Sequence, residues 1–263
     1  MTSTASSTGK KPASRRIAVT RPDARPGFIE PTSRALYTSR TRRGPLLVPT
    51  EKADGLLGCE STLEGIFVVA ATFDARVERI YAQPFVMDTV TGLTAPDRKR
   101  LAQRLADAGY SMRDAKLWFV DFELKLSATP RPVYVEVKPA ERAAEIDDVL
   151  DDRRAACERI GAEFLLVRDT DFDWPLGDNL RIMQRYAVVE TEEQHRASAL
   201  AALEDGPMSL SEVVVATGIG LAQLYGLVAS GDLRADLRSE LLSPRAIVQA
   251  SQPRQSILRN LED

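Results

Sequence analysis

Histidine and cysteine are nearly missing from this chain, which has one histidine, His195, and two cysteines, Cys59 and Cys157, among 263 residues. A Ser-His or Cys-His pair needs an imidazole beside its nucleophile, and a structural zinc site needs several Cys or His at short spacing. His195 stands in a glutamate-rich helical segment and the cysteines lie far apart, so triads, histidine-rich metal sites and a disulfide framework are all excluded as readings. Long apolar runs are missing as well. No window approaches the ~18–20 apolar residues of a bilayer-spanning helix, and the N-terminal residues lack the apolar stretch of a secretory signal. The expectation is a reducing, cytoplasmic setting, with chemistry run by carboxylates, lysine and a hard metal ion.

What is present suffices for a packed core, since 44% of the residues are hydrophobic and the length allows one large domain or two ordinary ones. The net charge of −3 hides an asymmetry. Residues 1–50 hold ten Lys or Arg against two acids, a balance of +8 that leaves −11 for the remainder. A basic arm can track phosphates, whereas an acidic body binds DNA weakly and gains from a partner that delivers it. Within the arm, residues 1–14 are small, polar and aperiodic and read as a disordered tail. Arg15, Arg16, Arg40, Arg42 and Arg43 follow as candidate DNA contacts. The Ser-rich, acid-poor start also looks like an organelle transit peptide, but SRTRRGP at 39–45 carries the basic character past a usual presequence.

Periodicity organises the rest. GLLGCESTLEGIFVVAATF, residues 55–73, places Leu56, Leu63, Ile66, Phe67 and Ala70 at helical spacings and predicts one mostly buried helix. Segments 77–90 and 116–126 read as strands from their β-branched and aromatic content, and 132–138 alternates Val133, Val135 and Val137 against Tyr134, Glu136 and Lys138. A helix is expected between Pro96 and Gly109, with Leu101, Leu105 and Ala108 on one face. Then come a charged helix over 140–160, the strand EFLLVRD after Gly161, and a helix over 178–187. Hairpin, helix, then apolar strand describes an α/β unit, a mixed sheet flanked by helices, spanning 15–190. Residues 191–263 read as helix, turn, helix, turn, helix, with Ser209 or Ser211 as an N-cap, Gly218 as a stop and a short hairpin or wing behind. That order resembles a winged helix-turn-helix. Its third helix carries no excess of Lys and Arg, which favours protein contact over DNA contact.

Two neighbouring strands carry charge on a face that normally holds none. Side chains alternate with period two, so Glu136 and Lys138 point the same way, and Asp121 on the adjacent strand lies beside Glu136. Two carboxylates that close repel unless a divalent cation sits between them, and oxygen-only ligation selects Mg²⁺, with Mn²⁺ as a substitute. An acid from a nearby helix would complete the site. Glu60 and Glu64, four residues apart and on one expected helix face, are equivalent candidates on spacing alone.

The spacing D121-x14-E136-V137-K138 resembles the PD-(D/E)XK nuclease signature, with Val120-Asp121 in place of Pro-Asp. E-x-K strands are common, so the surrounding words matter more. ESTLEGIFVVAATFD, YAQPF, FVDFELK, VYVEVKPAERA and GAEFLLVRD, in that order, resemble the TnsA endonuclease subunit of heteromeric transposases over residues 15–250. The resemblance implies a restriction-endonuclease-like domain followed by a C-terminal winged-helix domain. It selects Glu64, in Ser61-Thr62-Leu63-Glu64, as the helical acid and leaves Glu60 behind it. Asp121, Glu136 and the Val137 carbonyl become further metal ligands, Lys138 the catalytic lysine, and Gln83 a residue lining the site. It also implies cleavage at the 5′ ends of a transposon, beside a DDE-type transposase subunit (TnsB-like) and under an ATP-dependent regulator (TnsC-like) that contacts the C-terminal domain.

Rival readings stay open at this point. The same motif serves other PD-(D/E)XK nucleases of restriction or repair, and the same fold serves a catalytically silent adaptor between DNA and protein. The acidic run Glu145, Asp147, Asp148, Asp151 and Asp152, with Arg153 and Arg154 after it, reads as a solvated helix face. Trp118 and Trp174 read as core or rim anchors.

Overall fold

The structure, a computed structural model, describes residues 46–251, 256–258 and 261. The expected tail 1–14 and the candidate DNA contacts Arg15, Arg16, Arg40, Arg42 and Arg43 lie outside the described residues. The chain is a mixed α/β protein with several sheets.

Strand β1 (Leu46–Pro49) pairs antiparallel with β2 (Leu56–Cys59) and leads into helix α1 (Thr62–Phe73). The single helix expected over 55–73 is therefore corrected over its first seven residues. Leu56–Cys59 has a strand partner in Leu46–Pro49, and Ser61 sits extended at the N-cap with its hydroxyl accepting the Glu64 N–H at 3.1 Å. From there the apolar spacing holds, and Phe67, Val68, Ala70 and Ala71 are fully buried.

Each of the next two expected strands is split. β3 (Val77–Ala82) and β4 (Val86–Asp88) replace 77–90; β5 (Thr94–Ala95) and α2 (Arg98–Asp107) follow; then β6 (Leu117–Phe119) and β7 (Phe122–Leu126) replace 116–126. The breaks lie at one level, because Ala82 pairs with Phe122 and Val86 with Phe119. One long antiparallel ladder is cut on both strands at once. Pro84 has no N–H to give the ladder, and Gln83 has a left-handed backbone at φ 44°. Beyond the cut, β5, β4 and β6 form their own three-stranded sheet, with Leu101 and Leu105 of α2 packed beneath.

β8 (Val133–Val137) extends the other half of the ladder. After it the charged helix expected over 140–160 arrives as α3 (Ala140–Glu145) and α4 (Asp147–Arg159), separated by Ile146 at φ −123°. β9 (Glu163–Val167) then returns parallel to β8, which gives the mixed order β3-β7-β8-β9. Val133, Val135 and Val137 pack with Phe67 and Val68 of α1, while Tyr134 faces Ala156 and Cys157 of α4. Helix α5 (Leu176–Tyr186) closes this half.

In the C-terminal part, α6 (Glu193–Ala202), β10 (Met208–Ser209), α7 (Leu210–Thr217), α8 (Leu221–Ala229), β11 (Leu233–Ala235) and β12 (Ile247–Ala250) form three helices and a small antiparallel sheet ordered β10-β12-β11. Ser209, not Ser211, caps α7, in a reciprocal box with Glu212, and Gly218 ends that helix at φ 73°. Two buried polar side chains fasten this part to the first. Asn179 of α5 donates to the Leu237 and Glu240 carbonyls at 2.8 Å each and accepts the Leu242 N–H at 2.6 Å. Asp74, at the end of α1, accepts the N–H groups of Ile257 and Leu258 at 2.8 and 2.7 Å. No single helix among the described residues is long and apolar enough to cross a membrane.

Candidate active site

The ladder break builds the site. Asp121 was expected within a strand, but it sits in the gap between β6 and β7, where the chain passes from one sheet to the other. Freed from ladder pairing, its carboxylate turns back across β8. Asp121 Oδ2 accepts the Val137 N–H at 2.9 Å and the Lys138 ammonium at 3.2 Å. Lys138 also pairs with Glu136 Oε1 and donates to the Val137 carbonyl at 3.1 Å. The expectation that Glu136 and Lys138 share a face and that Asp121 lies close is met in this arrangement. Among the described residues the chain's own Lys138 ammonium bridges the two carboxylates.

Glu136 is buried and has two further partners. The Trp118 indole N–H donates to Oε2 at 2.6 Å, and the Arg153 guanidinium stands 2.8 Å from Oε1 while its plane lies over the Trp118 ring, 5.5 Å from the centroid. Arg153 was read as part of a solvated face. It points inward because Leu150, Arg153 and Cys157 recur at i, i+3 and i+7, the stripe of α4 that meets the sheet. Trp118 is a core residue, as expected, whereas Trp174 is 72% exposed and lies outside the core. Of the acidic run, Glu145, Asp147, Asp148 and Asp151 are exposed as expected, and Asp152 pairs with Lys116 at 2.5 Å.

The two helical candidates separate. Glu60 precedes the N-cap and shares no helix face with Glu64, which corrects the i, i+4 reading. Glu64 is buried in the first turn, where Oε2 accepts the Glu60 N–H at 2.7 Å and Oε1 accepts the Ser61 hydroxyl at 3.2 Å. Gln83 lies at the same end of the sheet. Its N–H donates to the Asp121 carbonyl at 2.8 Å, and its Nε2 donates to Glu60 Oε1 at 3.2 Å. Thus Gln83, Glu60, Glu64, Asp121, Lys138 and Glu136 form a linked polar group at one end of the sheet.

The electrostatics of this cluster are those of a site short of positive charge. Burial and then the Asp121 charge push the Glu64 carboxyl up to about 7, against the pull of the Glu60 N–H and Ser61 hydroxyl. Asp121 is also raised, by burial first and by Glu136 second, with Lys138 and the Val137 N–H countering. Burial alone would lower the Lys138 ammonium, but Asp121 and Glu136 outweigh it and hold the group above its ordinary value.

The atoms at this end that could ligate a cation are oxygens, which suits a hard divalent cation and not zinc or copper. Among the described residues no three His, Cys, Asp or Glu side chains are gathered closely enough to hold a metal by themselves. The donor set fits Mg²⁺ in kind, on one further observation: the Gln83 Oε1 is buried and accepts from no group among the described residues. A buried carbonyl oxygen without a donor is uncommon and fits a place for water or an ion. No protein-family model matches the chain, and no curated protein matches it significantly.

Proposed function

We propose that the chain is a Mg²⁺-dependent DNA endonuclease of the PD-(D/E)XK type, the TnsA-like subunit of a heteromeric transposase. One convergence carries the reading. The Lys138 ammonium rests on Asp121 Oδ2, Glu136 Oε1 and the Val137 carbonyl, three oxygens directed at a single positive centre, and Glu64 lies within reach of the Asp121 charge. On this reading the β3–β9 core is restriction-endonuclease-like and residues 191–263 are a winged-helix unit.

Asp121, Glu136, Glu64 and the Val137 carbonyl would hold Mg²⁺ or Mn²⁺, which when bound supplies Lewis acidity at a phosphoryl oxygen and a water of lowered pKa. Lys138 keeps its proton, so its ammonium orients the attacking water and offsets charge building on phosphorus. Trp118 and Arg153 keep Glu136 satisfied when Lys138 moves off it, which avoids stranding a buried carboxylate. The −11 balance outside residues 1–50 supports a subunit that reaches transposon ends through a DDE-type partner and an ATP-dependent regulator.

A second reading, a silent adaptor, draws on a specific observation: Glu64 is already engaged by the Glu60 N–H and the Ser61 hydroxyl, and Glu136 already has two donors, Trp118 and Lys138, with Arg153 as a further ion-pair partner. Nicking of transposon-end DNA in Mg²⁺ by the chain assembled with a DDE-type transposase subunit and an ATP-dependent regulator separates the two. Nicking that disappears in Lys138→Ala and Asp121→Ala supports the endonuclease. An assembled, DNA-bound complex that never nicks sinks it.

A further inference from the structure

We propose that Gln83 is a cation ligand of this site, its carboxamide oxygen completing the set begun by Glu64 and Asp121. The proposal rests on the endonuclease reading and names a residue to which that reading assigned only a lining role.

Three observations converge on Gln83. Its backbone is left-handed, and it is the one non-glycine among the described residues with positive φ, at 44°. That conformation costs about 1 kcal/mol or more for a residue with a Cβ and persists only where its surroundings impose it. The imposing contact is the Gln83 N–H to the Asp121 carbonyl at 2.8 Å, across the break in the ladder. Next, the carboxamide is almost wholly buried, 1% exposed, yet only its nitrogen is used, in the 3.2 Å bond to Glu60 Oε1. A buried Gln kept for packing would satisfy both ends or be replaced by an apolar residue, because a buried acceptor left without a donor costs about 1–3 kcal/mol. Finally, Glu60 gives its N–H to Glu64 Oε2. Gln83 therefore holds both acids, Asp121 through its backbone and Glu64 through Glu60.

A neutral amide oxygen suits this position. Glu64 and Asp121 already repel each other, so a third free carboxylate would raise the cost of the ion-free state, while a carbonyl dipole adds a hard donor without charge.

Mn²⁺ alone, added to the purified chain, is the probe, with calorimetric affinity and the Mn²⁺-induced rise in melting temperature as readouts. Gln83→Met keeps the length and removes the oxygen together with the Nε2 donor to Glu60, whose loss is offset by removing a buried acceptor that has no donor. It is expected to bind Mn²⁺ about 10–100-fold more weakly while melting close to the parent in the absence of metal. A variant that binds as the parent does, or whose ion-free melting temperature falls while its affinity holds, overturns the proposal and leaves the endonuclease reading standing. A parent chain that takes up no Mn²⁺ overturns both. Gln83→Glu supplies a second arm that survives a folding failure of the first. It must bind Mn²⁺ at least as tightly as the parent, and weaker binding counts against Gln83 as a ligand.

Discussion

The Lys138 ammonium stands 3.2 Å from Asp121 Oδ2 and contacts Glu136 with the same nitrogen. Both carboxylates are buried and Lys138 is only partly so. Lys138→Met removes the shared charge and keeps the stem. Breaking a buried pair by deleting one partner costs about 3–5 kcal/mol, and partial exposure together with the remaining Arg153 place the expected loss at or below the lower end. The midpoint of urea unfolding should fall, and millimolar Mn²⁺ should restore part of it by replacing the lost charge. Nicking by the assembled complex should drop by about 100-fold or more. An unchanged midpoint would mean that this contact does not form in solution.

Period-two alternation in VYVEV makes the shared face of Glu136 and Lys138 legible in the sequence, whereas Ser61 with Glu64 three residues later is a helix-start signature that the expectation of one helix over 55–73 passes over. Yet the helix expected from residue 55 starts seven residues later, at Thr62, because nothing local reveals that Leu56–Cys59 has a partner at Leu46–Pro49. Pro84 marked one side of the ladder break. Its opposite at Asp121 carried no breaker, since flanking Phe119, Val120 and Phe122 are all strand formers and the cut is imposed by the neighbouring sheet. Arg153 was hidden among exposed charges, although its spacing from Leu150 and Cys157 marked the buried stripe. The Asp74 contact to Ile257 and Leu258 spans most of the chain, and no pattern in either segment points to the other.

Asp74 ties the end of α1 to the C-terminal residues. Burial raises its carboxyl, but the Arg76 guanidinium and the Leu258 and Arg76 N–H groups more than offset that and hold it below its ordinary value. A depressed carboxylate stabilises the fold above its unfolded value, about 3.9, and that stability is lost as pH falls through the lower, folded value. Asp74→Asn should cost about 2–3 kcal/mol at neutral pH, measured by denaturant unfolding. The gap to the parent should shrink as pH drops below about 4. A difference that stays constant down to pH ~3 would show that the ionised form contributes nothing.

Asn179 gives the fold a second tie, with both ends of its carboxamide bonded to backbone between Leu237 and Leu242. Asn179→Ala leaves two carbonyls and one N–H without their partner in a dry place, at about 1–3 kcal/mol each where water cannot enter. Stability should fall by about 3 kcal/mol or more on that basis, and the Leu242 amide should exchange hydrogen far faster than in the parent. Slow exchange at Leu242 in the variant would mean that another group takes over the contact.

Arg153 offers the sharpest separation of endonuclease from adaptor, because the two readings give it opposite consequences. It stands 2.8 Å from Glu136 Oε1, with only 14% of its side chain exposed. If Glu136 is solely an anchor for Trp118, Lys138 and Arg153, then Arg153→Met weakens the fold and metal ions remain irrelevant before and after. If Glu136 also serves as a cation ligand, Arg153 competes with the ion for the same oxygen. Removing one unit charge about 5–6 Å from a bound ion relieves roughly 3 kcal/mol of repulsion at an effective dielectric of 20, and less where water screens it. Arg153→Met should then lower the ion-free melting temperature and raise Mn²⁺ affinity by at least about tenfold, which corresponds to 1.4 kcal/mol. Glu136→Gln should do the reverse to affinity, since it withdraws a charge from the ligand set. Calorimetric titration of both variants reads the two signs directly. Mn²⁺ affinity that moves in the same direction in both variants, or in neither, would remove Glu136 from the cation site and leave it as the structural anion of this sheet.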